Sequence, residues 1–361
     1  MTHKELANWL LAIDPSQKQA CIGLDGFVDR ILRVVDQRLD TSQVTYVQTL
    51  ADYGKKLIAA AGLSLNVEMI PQAIKYGGNG PLMAGALASM GSAVGCIGSM
   101  GYPDVAKEFV PLQQKAAVYS FAEPASTDSY EFEDGKIIAS VLDSLNRLDW
   151  EAVVSRIGFQ TLYTLLEQAD LIAMNNWTMI PSMSQIWKHL QQEILPELSG
   201  RRRIFFFDLA DPSKRTEADL QEALTILRGF TPFGRVILSC NQREAIRLAS
   251  VMGIDAGALS LSVLCRELQK ALQLQCLSIH TLKNAYAFEA ETDFEAAGFY
   301  TPAPKISIGG GDHFNAGFAF GMMHGLLLSD ALTLGSAVSG AYVRSGRSPE
   351  RKELATFLAE A

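Results

Sequence analysis

The sequence is poor in cysteine, and its five cysteines are too widely spread to act together. They are Cys21, Cys96, Cys240, Cys265 and Cys276. Their number is odd, and no C-x-x-C pair occurs. This pattern argues against a disulfide framework and against a zinc site, and it indicates a reducing compartment.

Long hydrophobic runs are absent as well. No stretch approaches the ~18 uninterrupted apolar residues of a membrane-spanning helix. The first residues lack the basic start, long apolar centre and small-residue cleavage site of a signal peptide. They predict a short surface helix that ends at Asp14-Pro15. We therefore expect a soluble, cytoplasmic protein with no membrane partner.

Positive charge is in deficit, because 31 lysines and arginines stand against 39 acidic residues, a formal net charge of −8. Nucleic-acid binders usually carry the opposite balance, so nucleic acid is not an expected partner. Hydrophobic residues, in contrast, make up 48% of the 361 residues, which suffices for a sizeable core. At about 100–200 residues per domain, the length allows two or three domains, or one large α/β domain with an appendage.

Several common enzyme motifs are missing from the sequence. It contains no G-x-x-x-x-G-K-[ST] loop and no G-x-S-x-G elbow, and residues 95–101 do not fit G-x-G-x-x-G. The five histidines show no metal-ligand spacing, so we predict that they are structural or solvated. A P-loop, a dinucleotide site and a histidine metal site are therefore not supported.

Short apolar runs alternate with amphipathic segments along most of the chain. The runs are residues 19–26, 92–101, 169–176, 202–211, 234–241 and 275–283. Runs that are apolar throughout and separated by helices indicate a parallel sheet covered on both faces. Ligands bind such sheets at the carboxyl ends of the strands. The polar residues that end the runs are therefore candidates, namely Asp25, Asn175, Asp208, Asn241 and Thr281.

Two segments break this pattern. Residues 25–40 look extended and more polar, and residues 117–142 alternate apolar and polar residues around Glu133-Asp134-Gly135-Lys136. This four-residue sequence, Glu133 to Lys136, is typical of a hairpin turn. We predict that both segments form half-buried antiparallel strands in a small lid beside the main sheet.

The strongest functional signal lies near the C-terminus, where Gly309, Gly310 and Gly311 lead into a helix of small and apolar residues. Glycines let successive backbone N–H groups point at one anion, and the helix N-terminus adds a positive dipole end. The pattern predicts an anion hole for a phosphate. Asp312 follows directly and has two interpretations. It is a base that takes a proton from an attacking hydroxyl, or a helix N-cap worth ~1 kcal/mol.

Other segments also have one functional and one structural interpretation. Gly77-Gly78-Asn79 could approach a ligand and bind its hydroxyl groups, or form an ordinary strand-to-helix turn. Asn241 and Glu244, one helical turn apart, could hold hydrated Mg²⁺ or phosphate, or form a capping box.

Two acidic segments share this ambiguity. Asp25 and Asp29 could bind substrate or lie at a solvated strand edge. The stretch from Asp208 to Arg215 could place charged groups in the site, or it could form a capped turn.

The order of these segments resembles the phosphofructokinase-B family of carbohydrate and nucleoside kinases, which have the ribokinase-like fold, over nearly the whole chain. SIGGGDHFNAGFAFG is similar to the family's G-A-G-D-x-F-x-x-G signature, with Gly310 where alanine is commoner. GGNGPLMAGALASMG is similar to its first signature, NQRE matches N-x-x-E, and DPSKR is similar to D-P-N-x-R. The resemblance implies one α/β domain over residues 1–361. This ribokinase-like domain would have three αβα layers, a mostly parallel central sheet and a small antiparallel β lid.

The resemblance also implies a role for each candidate residue. Asp312 would be the catalytic base beside the anion hole of Gly309, Gly310 and Gly311. The residues that would meet the substrate are Asp25, Asp29, Gly77, Gly78 and Asn79, those near the nucleotide are Asn241, Thr281, Lys283 and Asn315, and those near Mg²⁺ are Asn241 and Glu244. ATP and Mg²⁺ are the implied cofactors, with room for a monovalent cation. The implied reaction is phosphorylation of a hydroxyl group on a sugar-like or nucleoside-like small molecule.

Departures from the family pattern leave alternatives open. Leu82 stands where the first signature has asparagine, and Asn79 could substitute for it in space. Residues 281–286 replace the family's T-x-G-x-x-G nucleotide loop and lack both glycines, so Lys283 could contact a phosphate or crowd the nucleotide. The donor could then be a nucleotide other than ATP, or the protein could be a catalytically inactive regulator that binds a metabolite or nucleotide. Exposed lid strands could also pair two copies into a homodimer.

Overall fold

The computed structural model describes residues 1–290, 292–306 and 308–361. Its strands, numbered along the chain, are β1 (Gln19–Gly23), β2 (Phe27–Arg38), β3 (Val44–Tyr46), β4 (Met69–Gly77), β5 (Ala93–Gly98), β6 (Ala117–Ser120), β7 (Ala125–Phe132), β8 (Gly135–Val141), β9 (Leu171–Asn175), β10 (Arg203–Asp208), β11 (Gly234–Asn241), β12 (Cys276–His280), β13 (Asn284–Glu289) and β14 (Thr292–Ala297). Its helices are α1 (His3–Ala12), α2 (Leu50–Ala59), α3 (Asn79–Ser89), α4 (Val110–Gln113), α5 (Asp143–Asn146), α6 (Trp150–Ile157), α7 (Phe159–Gln168), α8 (Met183–His189), α9 (Glu217–Arg228), α10 (Gln242–Val251), α11 (Leu261–Leu272), α12 (Gly310–Met323), α13 (Leu328–Ser345) and α14 (Arg351–Glu360).

The main sheet has the strand order β14-β13-β12-β11-β10-β9-β1-β5-β6. Every neighbouring pair from β12 to β6 is parallel, whereas β13 and β14 run antiparallel at one edge. Helices cover both faces and form two large hydrophobic clusters with the sheet. The predicted parallel sheet between two helical layers is therefore confirmed.

Strand β10 shows why its sequence is apolar throughout. Phe205 and Phe207 point into the cluster on one face, where both rings pack against Phe230. Phe206 points into the opposite cluster, which also holds Phe318. Side chains alternate between the faces of a strand, so a strand buried on both sides needs apolar residues at every position. Each buried ring stabilises the fold by roughly 1.5–3 kcal/mol.

A second, smaller sheet has the order β3-β2-β7-β8. Strand β4 also pairs with β2, on the side opposite β7. It contains the strands predicted within residues 25–40, and β7 and β8 form the predicted hairpin. Two details of the prediction are wrong. Residues 117–120 form β6, which is a parallel edge strand of the main sheet. The small sheet is mixed rather than antiparallel, because β2 and β7 run parallel.

The N-terminal helix α1 ends at Ala12, just before Asp14-Pro15, as the sequence predicts. A reciprocal capping box between Thr2 and Glu5 fixes its start. No helix in the described parts of the chain is long and apolar enough to cross a membrane.

Candidate active site

The carboxyl ends of neighbouring parallel strands meet at one edge of the main sheet. Asp25, which follows β1, accepts a hydrogen bond of 2.7 Å from the side-chain amide of Asn176, which follows β9. The backbone N–H of Asn176 donates to the carbonyl of Asp208 at the end of β10, at 2.8 Å. Asn176 has a φ of 63°, a left-handed conformation that asparagine tolerates better than most residues. The structure thus joins these strand ends directly.

Asp25 is fully buried and holds the start of α3. One carboxylate oxygen accepts from the backbone N–H of Asn79 at 2.9 Å and the other from that of Gly80 at 2.8 Å. Burial raises the pKa of Asp25 to about 6, against the effect of these hydrogen bonds. The resemblance implied that Asp25 meets the substrate. With both oxygens engaged and no exposed surface, Asp25 instead holds the start of α3 in place.

The glycines before α3 allow this close approach. Gly78 has a φ of 100°, and a Cβ there would lie 2.9 Å from a carboxylate oxygen of Asp25. A Cβ on Gly77 would overlap the carboxylate of Asp29. The close contacts explain Gly77-Gly78. Asn79 contacts Asp25 through its backbone N–H, whereas its side-chain Nδ2 donates to Asp312 Oδ1 at 2.8 Å.

Helix α12 begins with a glycine of positive φ as well. Gly309, with a φ of 86°, is its N-cap, and Gly310 and Gly311 form its first turn. Asp312 is the third helical residue, and no side-chain hydrogen bond caps the helix. The interpretation of Asp312 as an N-cap is therefore wrong. Burial, followed by the negative charges of Asp208 and Asp25, raises the pKa of Asp312 well above its usual range.

Asp208 is a third buried carboxylate of the site, which the sequence indicated as a strand-end residue and as the start of a charged stretch. It accepts hydrogen bonds from the backbone N–H of Ala210 and from Asn315 Nδ2, both at 2.7 Å. Asn315 in turn accepts from Ser239 Oγ at 2.6 Å and is completely buried. The resemblance implied a place near the nucleotide for Asn315. In the structure it supports Asp208 and is not among the described residues that line the cleft beside α12.

Asn241 and Glu244 form the capping box at the start of α10. Asn241 donates to the two carboxylate oxygens of Glu244 at 2.6 and 2.9 Å, and the N–H of Glu244 donates back to Asn241 Oδ1 at 3.0 Å. Burial raises the pKa of Glu244 to about 8, and the charge of Asp208 adds to this effect. The capping interpretation thus holds, and a cation bound nearby would oppose this pKa shift and favour the ionised carboxylate.

This donor set suits Mg²⁺ held mainly through water and phosphate. Each oxygen of the Glu244 carboxylate has a second lone pair beyond its bond to Asn241. In the described residues, no group of three His, Cys, Asp or Glu side chains forms a ready-made metal site. Mg²⁺ usually keeps several waters and binds one or two carboxylates together with substrate phosphates. The residues therefore fit Mg²⁺, and Glu244 and Asn241 would be the groups that hold it.

A cleft of about 980 Å³ lies beside the start of α12. Gly310, Gly311, Asn241 and Thr281 line it, and its size is typical of sites for small molecules. Four predicted site residues thus share one cavity.

Residues 281–283 form the tight turn between β12 and β13 at the rim of this cleft. Thr281 Oγ1 accepts from the backbone N–H groups of Lys283 and Asn284 at 3.2 and 2.9 Å. Lys283 is not among the residues that line the cleft, and its ammonium group lies 5.9 Å from the ring centre of Tyr300. Residues 284–286 belong to β13. The predicted nucleotide loop is thus largely a hairpin, which closes without glycine.

His280 also lines the cleft, and sequence reasoning missed it. A Cβ on Gly311 would lie 3.0 Å from its Nε2, so the imidazole lies directly against the start of α12. Burial lowers the pKa of His280 to about 4, which keeps the ring neutral at neutral pH. Its position at the end of β12, directly before Thr281, is the signal that could have found it.

Asp29 belongs to the small sheet. It lies on β2, flanked in register by Lys75 on β4 and Thr127 on β7, and is only 7% exposed. Burial raises its pKa, whereas the charge of Lys75 and a hydrogen bond with Thr127 lower it. The interpretation of Asp29 as a solvated strand edge is wrong because β2 is an interior strand.

Comparison with known proteins supports one assignment over nearly the whole chain. The sequence model of the prokaryotic ketohexokinase family matches residues 12–361. A ketohexokinase from Haloferax volcanii is 28% identical over 340 residues, which cover 93% of this chain and 89% of that protein.

Solved structures agree on the fold. Arabidopsis thaliana ribokinase, complexed with ribose and ATP, superposes with a TM-score of 0.65 at 16% identity, over 96% of this chain and 99% of that one. An E. coli protein assigned as ribokinase II, with ATP and Mg²⁺, gives a TM-score of 0.67 at 13% identity, over 95% and 99%. The predicted ribokinase-like fold is confirmed.

Proposed function

The chain belongs to the prokaryotic ketohexokinase family and is a carbohydrate kinase of the phosphofructokinase-B type, and on that premise we propose that it phosphorylates a ketohexose with ATP and Mg²⁺. One observation carries the proposal. The hydrogen bond between Asn79 and Asp312 joins two helix N-termini next to the cleft. A carboxylate beside two positive helix ends is suited to deprotonate a hydroxyl that attacks a phosphate.

Asp312 is the base in the proposed reaction. Asn79 occupies its Oδ1, so Oδ2 receives the hydroxyl proton of the sugar. The sugar oxygen that loses this proton forms a bond to the terminal phosphorus of ATP. At the same time the bond from that phosphorus to the bridging oxygen breaks, and ADP leaves. The raised pKa of Asp312 favours acceptance of this proton.

The start of α12 stabilises the charge of the transferred group. The N–H groups around Gly310 and Gly311 have no partner within the helix and are available to phosphate oxygens. Mg²⁺, when bound, would neutralise charge on the donor phosphates, and Glu244 and Asn241 are the residues that would hold it. Such preorganised groups supply most of the acceleration in phosphoryl transfer.

The small sheet provides the acceptor side. Asp29 accepts hydrogen bonds from sugar hydroxyls in this proposal, and the neighbouring Lys75 balances its charge. A carboxylate and an ammonium group side by side suit an uncharged polyhydroxyl acceptor better than a sugar phosphate, whose added charge would face Asp29 and Asp312.

The alternative of an inactive regulatory protein loses its main support. It rested on the missing glycines of residues 281–286, and these residues form a turn that Thr281 closes instead. Membership of a kinase family also speaks against it. A purely binding protein has no need for a base such as Asp312.

The test is a phosphoryl-transfer assay on the purified protein. MgATP is offered with ketohexoses, aldohexoses, ribose and nucleosides, ADP release is followed, and the product is identified by ³¹P NMR. We expect transfer to a ketohexose with kcat/KM at least roughly 10-fold above that for aldoses, because buried polar groups reject a hydroxyl pattern that leaves them unpaired. ADP release without an acceptor should be slow.

A contrary result is equally clear. Thermal stabilisation by a sugar without transfer from ATP, GTP or ADP would favour the binding protein. Replacement of K⁺ by a large organic cation in the same assay tests the predicted monovalent cation.

The homodimer through the small sheet stays a prediction. Its edge strand β8 exposes Ile138 by 53% and Val141 by 64%, and exposed apolar edges favour pairing. Light scattering on the wild type and on Val141→Lys tests it, and a wild-type monomer at micromolar concentration would contradict it.

A further inference from the structure

One face of the small sheet carries a row of charged side chains. Asp29 pairs in register with Lys75 and with Thr127, so these side chains share a face. Glu131 lies four residues after Thr127 on β7 and points the same way, together with its register partner Lys136 on β8. Because this face carries Asp29, it is the face that the proposed function turns toward the acceptor.

Lys136 lies where this face of the small sheet reaches the cleft beside α12. It lines the 980 Å³ cleft, whose wall also includes Asn241, Arg243 and the helix start at Gly310-Gly311. Of the described residues that line the cleft, Lys136 alone comes from the small sheet. The hairpin of β7 and β8 therefore brings a cation from the acceptor side to the place where the donor phosphates bind in the proposed function.

The charges around the cleft create a need for such a cation. Glu244 is hydrogen-bonded to Asn241, and Asp312 directly follows Gly311, so two carboxylates lie next to residues that line the cleft. A bound nucleoside triphosphate adds several further negative charges to the cleft. In the described lining of the cleft, the lysine and arginine side chains that can oppose them are Lys136 and Arg243.

We propose that Lys136 binds the terminal phosphate of the nucleotide donor and completes the phosphate site from the small sheet. This inference rests on the proposed function, because it takes the cleft to be the donor site. Burial lowers the Lys136 pKa, whereas the negative charge of Glu131, its register partner on β7, raises it. Since Asp29 belongs to the same sheet, binding of the donor by Lys136 also fixes the acceptor-binding face.

An ordinary cross-strand ion pair is the competing interpretation. Such a pair contributes roughly 0.2–1 kcal/mol, and loss of either partner would have the same small effect on stability. A phosphate-binding Lys136 predicts an asymmetry instead. Lys136→Met should impair the use of ATP, whereas Glu131→Gln keeps the positive charge of Lys136 and should have little effect on it.

The experiment compares four variants with the wild type, namely Lys136→Met, Lys136→Arg, Glu131→Gln and the control Lys55→Met. Lys55 lies on α2 in the same part of the chain, is strongly exposed and pairs with Asp52. Steady-state kinetics gives kcat and KM for ATP and sugar. Titration calorimetry gives the affinities for MgATP and MgADP, and thermal unfolding checks the fold.

We expect Lys136→Met to lower kcat/KM for ATP at least about 10-fold, because a charge-assisted bond to the transferred phosphate is lost. Lys136→Arg should recover most of it, and Glu131→Gln and Lys55→Met should stay within about threefold of the wild type. Affinity for MgATP should fall more than affinity for MgADP, since ADP lacks the terminal phosphate. A structural pair alone would not produce this difference.

Two results would overturn the inference. One is a folded Lys136→Met that keeps kcat/KM for ATP within about twofold of the wild type. The other is an equal loss in Lys136→Met and Glu131→Gln. If no sugar is phosphorylated by the wild type, the proposed function fails, and the MgATP and MgADP affinities still decide the role of Lys136.

Discussion

The side-chain amide of Asn79 donates a hydrogen bond of 2.8 Å to Asp312, although 233 residues separate the two in the chain. Each residue lies in the first turn of a helix, α3 or α12, that follows a glycine of positive φ, Gly78 or Gly309. The bond therefore fixes two helix N-termini relative to each other. It also orients the carboxylate, because one of its oxygens is held and the other is left for chemistry.

Asp312→Asn should abolish most of the activity while the fold persists. The amide has nearly the same shape but cannot accept the hydroxyl proton, so kcat should fall by at least ~10²-fold. Affinity for MgATP by calorimetry should change little, because the backbone N–H groups of α12 remain. Near-normal kcat in this variant would reduce Asp312 to a structural residue.

Asn79→Ala should shift the pH dependence of kcat. The hydrogen bond from Asn79 favours the ionised form of Asp312 and lowers its pKa. Its loss raises that pKa, so the acidic limb of the kcat profile should move to higher pH. We expect the largest deficit at low pH and partial recovery above it. A uniform loss of kcat at every pH would show that Asn79 does not act through the charge of Asp312.

Much of this site could be predicted from the sequence because its signals are local. A glycine run before a helix sets backbone geometry within a few residues, so Gly309-Gly311 and Asp312 stand out without a structure. The ends of apolar runs mark strand ends, which in a parallel sheet lie at one edge. Asp25, Asp208 and the residues after β9 meet there for that reason.

Other features depend on partners distant in sequence and could not be predicted from it. β4 contains Pro71, and a proline weakens the sequence signal for a strand. In the structure Pro71 pairs with Leu32 of β2, where the register between the two strands shifts. From the sequence, Asp25 is a candidate for binding the substrate. Only the structure shows that its carboxylate accepts from the first backbone N–H groups of α3. The same holds for Lys136, whose position by the cleft depends on how the hairpin extends from the small sheet.

Substitutions at two neighbouring glycines should have opposite outcomes. A Cβ on Gly310 would be in ordinary contact, 3.5 Å from Ser339 and Val343, so Gly310→Ala should keep kcat and stabilise the fold by up to ~1 kcal/mol. A Cβ on Gly311 would come 3.0 Å from His280 Nε2. Gly311→Ala should therefore displace the imidazole and raise KM for ATP. Thermal unfolding and kinetics check the pair, and equal behaviour of the two would contradict the prediction.

Glu244→Gln should raise the Mg²⁺ concentration needed for half-maximal activity at least roughly threefold, because a carboxylate charge near the hydrated ion is lost. Glutamine can still accept from the backbone N–H of Asn241 and complete the capping box, but it loses the second bond from Asn241 Nδ2, so the fold should lose roughly 1 kcal/mol of stability. A Mg²⁺ titration of the initial rate at fixed ATP provides the measurement. An unchanged titration would limit Glu244 to capping.

The buried carboxylate of Asp25 should make stability depend on pH in an unusual direction. Burial raises its pKa from 3.8 to about 6 in the folded protein. The folded state therefore holds a proton that the unfolded state has released between these values, and the free energy of unfolding falls as pH rises through this range. At 1.36 kcal/mol per pKa unit, the effect reaches at most about 3 kcal/mol.

Asp25→Asn removes this titration, so the stability advantage of the wild type over the variant should shrink as pH rises from 4 to 7. Asp14→Asn is the matched control. Hydrogen bonds with Ser16, the largest of them from its side chain, lower the pKa of the exposed Asp14, so its contribution has the opposite sign and is lost as pH falls. Denaturant unfolding at each pH measures both differences. A pH-independent difference between the wild type and Asp25→Asn would mean that Asp25 does not change its protonation on folding, and that its three hydrogen bonds fully offset the cost of burying its charge.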